Sequence, residues 1–163
     1  MRARKPVLVG SILAVIALAA DQLLKSSAHA WVAAHGEVRP FPGLNIIATS
    51  NNGVAFSLAQ GVAPSLLIAV GIGLSIVFWV WLLRARSWFH AAGLGLAIGG
   101  ALGNVVDRLR FGSVRDFIDI YWRDHHWPAF NLADAAIVTG LALLILLPGH
   151  AGPRSSGSED SSH

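Results

Sequence analysis

GGALGNVVDRLRFGSVRDFIDIYWRDHHWPAFNLAD, residues 99–134, places five aspartates between two strongly apolar segments. They are Asp107, Asp116, Asp119, Asp124 and Asp134, in a chain that holds only nine acidic residues in all. An acid at the centre of a bilayer costs on the order of 2.5–3.5 kcal/mol on insertion scales, so acids kept beside a hydrocarbon layer point to function. The flanking segments read as a membrane hairpin with the acids gathered at its connection.

Composition supports a membrane protein. Of 163 residues, 54% are hydrophobic and 13% charged, against about 25% charged in an ordinary soluble domain. The chain has no cysteine, which removes disulfides, thiolate nucleophiles, iron–sulfur clusters and cysteine-ligated zinc. The net charge is +3, but the basic residues are scattered and form no face interleaved with aromatics, so nucleic acid is not an expected partner.

Outward from that stretch, hydropathy divides the chain into four spans, about residues 7–34, 62–83, 90–106 and 132–147, within one domain over residues 1–148. The second, 22 residues long, would reach roughly 33 Å, enough for the hydrocarbon core. The third is rich in glycine, which lets neighbouring helices approach closely. The first admits two readings. A basic start, an apolar run and Leu18-Ala19-Ala20 resemble a cleavable signal peptide; the continuing helical pattern, with Asp21 and Lys25 at i and i+4, suits an uncleaved helix. Pro40, Pro42 and Gly43 interrupt the helical pattern after the first span, Leu44 to Thr49 offers a β-rich run, and Ser50 to Gly53 reads as a turn. Residues 149–163 read as a disordered tail.

Four spans put both termini on one side. The basic residues divide six and six, but the density in Arg2-Ala3-Arg4-Lys5 and Arg84-Ala85-Arg86 places the termini in the cytoplasm. The aspartate cluster and the β-rich segment then share the outer surface.

Because spans three and four form a hairpin, Asp116 and Asp134 lie at one membrane depth and can meet. Two carboxylates in a poorly solvated pocket do not both ionise cheaply, so one keeps a proton while the other acts as a base. The alternative, two unrelated solvated loop acids, stays open on residue pattern alone. Asp107 and Arg108 read as a capping and salt-bridge pair, with Asn104 one turn before Asp107. There is no Gly-x-Ser-x-Gly turn and no His-Glu-x-x-His spacing; His125 and His126 read as solvated, and Trp31, Tyr121, Trp122 and Trp127 as an interfacial aromatic belt. Two further readings compete: a small ion- or proton-coupled transport subunit using acids such as Asp21 and Asp134, and an assembly factor docking a partner helix on the third span.

Five ordered blocks carry a resemblance: Asp21-Gln22-x-x-Lys25; Asn51-x-Gly53-x-Ala55-Phe56-Ser57; Gly99-Gly100-x-x-Gly103-Asn104-x-x-Asp107-Arg108; Val114-x-Asp116-Phe117; and Phe130-Asn131-x-Ala133-Asp134. In this order the chain resembles the bacterial lipoprotein signal peptidase family, also called signal peptidase II. The resemblance implies an all-α membrane protein of four transmembrane helices with a small extracytoplasmic β-rich cradle, in the bacterial inner membrane with its site near the outer leaflet. It implies an aspartic endopeptidase that cleaves diacylglyceryl-modified prolipoproteins just before the modified cysteine, working among membrane lipids with no metal or other cofactor. Asp116 and Asp134 would be the catalytic pair, with Asp21, Lys25, Asn51, Gly53, Asn104, Asp107, Arg108 and Asn131 binding substrate or supporting the site. Arg115 departs from the pattern by placing a charge beside the pair; its side chain is expected to face lipid headgroups, and Asp119 and Asp124 to lie in a solvated outer loop.

Overall fold

The computed structural model describes residues 4–53 and 62–147. Ala55-Phe56-Ser57 of the second block and the tail at 149–163 lie outside the described residues. Four helices and a four-stranded sheet follow in the order α1 (Arg4–His35), β1 (Val38–Phe41), β2 (Leu44–Asn51), α2 (Pro64–Leu83), α3 (Trp88–Phe111), β3 (Val114–Trp122), β4 (His125–His126) and α4 (Leu132–Leu146).

Three of the helices, α1, α2 and α3, are long and apolar enough to cross a membrane, and α4 is a shorter apolar helix. Helix α1 continues unbroken through Ala19 and Ala20 to His35. Helix α2 opens on Pro64, whose missing N–H has no intrahelical partner to lose, and buries only Ser75 and Leu82. Its remaining apolar surface is what lipid would cover.

Helix α3 is the central element, packed against α1, α2 and α4. Its glycines permit this: a Cβ at Gly99 would collide with the carbonyl of Ala14 in α1, and one at Gly100 with that of Ala133 in α4. Helix α3 ends at Gly112, which has φ 74° and donates its N–H to the Arg108 carbonyl at 3.0 Å. The left-handed turn sends the chain directly into β3.

The sheet is antiparallel in the order β1-β2-β3-β4. The β-rich run expected at 44–49 is β2, extended to Asn51, and the expected turn narrows to Asn52-Gly53, where the Gly53 N–H bonds Asn51 Oδ1 at 2.9 Å. One expectation is corrected: the sheet is not drawn from the first outer segment alone. Residues 114–122 form β3, pairing Asn51 with Val114 and Asn45 with Asp119. Val114, Phe117, Ile118, Ile120, Tyr121 and Trp122 supply the β-branched and aromatic side chains a strand favours, and β2 supplies partners for their backbone.

Candidate active site

The site begins on α1. Asp21 and Lys25, one turn apart, form a fully buried ion pair at 2.8 Å. Lys25 directs Nζ to three acceptors: Asp21, Asp107 at 3.2 Å and Asn104 Oδ1 at 3.1 Å. An ammonium has three donors, so its hydrogen-bonding capacity is filled. With its oxygen bound to Lys25, Asn104 presents its amide nitrogen to Asp134 Oδ1 at 2.8 Å.

Helix α4 starts in the middle of this set. Asn131 is its N-cap: Asn131 Oδ1 accepts the Asp134 N–H at 3.0 Å while Asp134 Oδ2 accepts the Asn131 N–H at 3.3 Å, a reciprocal capping box. Asp21 Oδ1 accepts the Ala133 N–H at 2.9 Å, so a side chain from α1 satisfies another donor of the α4 first turn. The Asn131 amide nitrogen reaches Asp116 Oδ1 at 2.6 Å and Asn104 Oδ1 at 3.4 Å. Asp116 is thereby tied through Asn131 to the cap that holds Asp134.

Both carboxylates line one cleft of about 270 Å³, whose polar lining also includes Asn51, Gly53, Asn104 and Arg108. Its apolar lining includes Leu67, Val70 and Leu74 of α2 and Ile137 and Val138 of α4. Burial, and then the charge of Asp134, push Asp116 up from 3.8 to about 6, against the opposing hydrogen bond from Asn131. A carboxyl that titrates near neutrality beside a second carboxylate can hold and release a proton in place, which is the requirement for acid–base hydrolysis. Among the described residues no group of three or more His, Cys, Asp or Glu side chains could hold a metal ion.

All ten site residues expected from sequence fall in this network or line this cleft, but several partners differ. Asp107 does not pair with Arg108. Adjacent positions on a helix point to different faces: Asp107 turns toward α1, whereas Arg108 turns to the cleft and donates to the carbonyls of Gly53 at 2.7 Å and Asn104 at 3.3 Å. Arg115 does not face headgroups; its side chain turns inward to Asp107 at 2.9 Å. Asp119 is not in a solvated loop; it is buried in β3, receives the Asn45 amide at 2.7 Å and meets His126 Nδ1 at 2.9 Å. Asp124 and His125 are exposed as expected, and His126, though exposed, is bonded to Asp119 and stacked on Tyr121. Trp31, Trp122 and Trp127 are exposed.

Three residues of α1 went unassigned. Gln22 donates to Asp107 at 3.1 Å and to the Gly103 carbonyl at 3.2 Å, Ser26 meets Arg115 at 3.4 Å, and His29 Nε2 lies 3.1 Å from the Asp116 carbonyl oxygen. Their spacing, i, i+4 and i+7, marks one polar stripe beside Asp21 and Lys25, a signal legible from sequence.

Apolar helices, a sheet at the helix ends and two carboxylates facing one cleft define a class: a helical membrane protein with a site built for acid–base chemistry. The family model described as Signal peptidase (SPase) II matches residues 13–148, and the chain belongs to that family. Similar proteins include the lipoprotein signal peptidase of Shewanella halifaxensis (strain HAW-EB4), 42% identical over 81% of each chain. That of Ralstonia nicotianae (strain ATCC BAA-1114 / GMI1000) is 44% identical over 82% of this chain and 80% of its own. That of Anaplasma marginale (strain Florida) is 34% identical over 96% of each. A solved structure described as a bacterial membrane enzyme at 2.3 Å superposes with a TM-score of 0.72 at 28% identity, covering 84% of this chain and 85% of that one.

Proposed function

We propose that this chain is a membrane aspartic endopeptidase that removes the signal peptide of diacylglyceryl-modified prolipoproteins, cleaving just before the modified cysteine, with Asp116 and Asp134 as its catalytic pair. The observation that carries this reading is the cleft itself. It holds both carboxylates, and its remaining lining is largely apolar, drawn from α2, α3 and α4, suited to a substrate that is itself embedded in lipid.

The ionised carboxylate takes a proton from water as the water oxygen bonds to the scissile carbonyl carbon, while the protonated carboxyl gives its proton to the carbonyl oxygen. Collapse of the tetrahedral intermediate breaks the C–N bond: the proton gained by the first carboxylate passes to the departing amine, and one hydroxyl of the intermediate returns its proton to the second carboxylate, restoring the pair. Positioned proton transfer of this kind contributes about 10²–10⁴-fold. Asn104 and Asn131 hold the pair in place, and Arg108 fastens the Gly53 end of the cleft.

The proposed topology is four spans with cytoplasmic termini in the bacterial inner membrane, the sheet forming an extracytoplasmic cradle and the site near the outer leaflet. It is supported by the gathering of Asp21, Lys25, Asp107, Asp116 and Asp134 at one end of the helices, and by the absence of any charged residue from α2. The same gathering disfavours an ion relay, which needs charged groups distributed through the membrane depth. The test is to incubate the purified protein with a diacylated prolipoprotein and with its unmodified precursor. Cleavage of the diacylated form alone is expected; equal cleavage of both, or of neither, overturns the reading.

A further inference from the structure

Asp107 is fully buried, and both its oxygens are doubly served. Oδ1 accepts from Gln22 at 3.1 Å and from Arg115 Nη2 at 2.9 Å; Oδ2 accepts from Lys25 at 3.2 Å and from the Arg115 backbone N–H at 2.9 Å. Arg115 thus grips one carboxylate twice, by backbone and by guanidinium. The two grips fix the peptide unit and the side-chain direction of the residue that immediately precedes Asp116.

The rest of the guanidinium environment acts in the same sense. The group lies 4.4 Å from the centre of the Phe111 ring, closing the turn between α3 and β3, and its outer nitrogens reach Ser26 at 3.4 Å and Gln22 at 3.5 Å on α1. His29, on the same stripe of α1, meets the Asp116 carbonyl. The first residues of β3 are therefore held from α1 and α3, while the Asn131 amide holds the Asp116 carboxyl.

We propose that Arg115 is a positioning residue for the reaction: through Asp107 it locks the start of β3 so that the Asp116 carboxyl is presented to the cleft beside Asp134. The proposal rests on the reading of Asp116 as a catalytic carboxylate. Stability alone is a poor reason for such a group. A buried ion pair is weak support for folding compared with apolar residues of the same volume, Asp107 already has Lys25 and Gln22, and the buried Arg115 Nε has no partner among the described residues. A fixed geometry is the reason that remains, since displacing a reacting group by about 1 Å costs on the order of 10²-fold.

The experiment uses the full chain in lipid and a diacylated prolipoprotein, with kcat, KM, thermal unfolding and amide exchange over residues 114–118 measured for Arg115→Gln, Arg115→Lys, Asp107→Asn and Arg115→Gln/Asp107→Asn. Arg115→Gln is expected to lower kcat by about 10- to 100-fold with KM little changed and to speed exchange at the Asp116 and Phe117 amides. Arg115→Lys, which keeps the charge without the fork, recovers part of the loss, and the double variant is no worse than Asp107→Asn alone. Arg110→Gln is the control: Arg110 lies over the same Phe111 ring at 5.4 Å but makes no ion pair among the described residues, and its loss should leave kcat unchanged. Wild-type kcat in Arg115→Gln, a loss that only tracks the unfolded fraction, or independent effects of Arg115 and Asp107 overturns the proposal. If Arg115→Gln does not fold, Arg115→Lys decides: lower kcat at unchanged Tm supports positioning, and wild-type kcat overturns it. A wild-type protein that leaves the diacylated substrate intact defeats the functional reading instead, and exchange then judges the placement of Asp116 separately, unchanged exchange in Arg115→Gln counting against it.

Discussion

Asp116 and Asp119 lie three residues apart on β3, and both are buried, yet their surroundings push them in opposite directions. Asp116 meets burial and then the charge of Asp134, which outweigh the hydrogen bonds from Asn131 and Asn51, and it is lifted to about 6. Burial also opposes ionisation of Asp119, but the hydrogen bonds from Asn45 and His126 outweigh it and hold that carboxyl below its ordinary value. Low solvent exposure alone therefore does not distinguish a carboxyl poised for chemistry from one that pins a sheet. Each acid has two side-chain hydrogen-bond partners, so the difference is the second carboxylate and the deeper burial of Asp116.

The largest expected effect tests that contrast directly. Asp116→Asn and Asp134→Asn should each lower cleavage of the diacylated substrate by at least about 10³-fold, because each removes one half of the proton transfer and a paired function is lost almost entirely with either member. Asp119→Asn, on the same strand, should retain activity within a few-fold when the rate is corrected for the folded fraction. Comparable losses in all three variants would erase the distinction.

The second test measures the contrast without turnover. Asp116 is raised by two causes, burial first and the charge of Asp134 second. In Asp134→Asn the second cause disappears and the first remains, so Asp116 should titrate below about 6 but still above the 3.8 of an unperturbed aspartate. Carbon-13 labelling of the aspartate carboxyls would read this directly. An unmoved Asp116 would show that the two groups do not sense one another.

How much of this was open to sequence reading follows from the kind of interaction involved. The apolar helices were legible because apolar length is a local property: α2 and α4 lie within two residues of the expected bounds at each end. The pairing of Asp21 with Lys25 was legible from i, i+4 spacing, and the meeting of Asp116 with Asp134 in one cleft from hairpin geometry. Strand β3 was obscured because Arg115, Asp116 and Asp119 interrupt its apolar character, and because its partner, β2, lies more than sixty residues earlier. The inward turn of Arg115 was hidden for a related reason. It depends on Asp107 pointing toward α1, which is fixed only once α3 has packed there.

The smallest expected effect concerns the outer cluster. His126 is exposed at its bond to Asp119, so His126→Ala should cost less than about 1 kcal/mol, as exposed polar pairs do. Its pH dependence carries the sign. A carboxyl whose folded pKa lies below its unfolded value of 3.8 contributes stability that is complete above 3.8 and is lost as the pH falls through the folded value. Removing one of the hydrogen bonds that holds Asp119 down narrows that gap, so the variant should lose less stability on acidification than the parent, and the two unfolding curves should converge in acid. Asp116 has the reverse sign: its folded pKa is raised, so its protonated form is the one that folding favours, and ionising it from 3.8 up through about 6 weakens the fold. Thermal unfolding of His126→Ala and Asp116→Asn should therefore show opposite departures from the parent, the first a loss that is complete above the ordinary carboxylate range and closes in acid, the second a gain that grows from 3.8 up through about 6. Departures of the same sign would mean that the two acids on β3 share one environment.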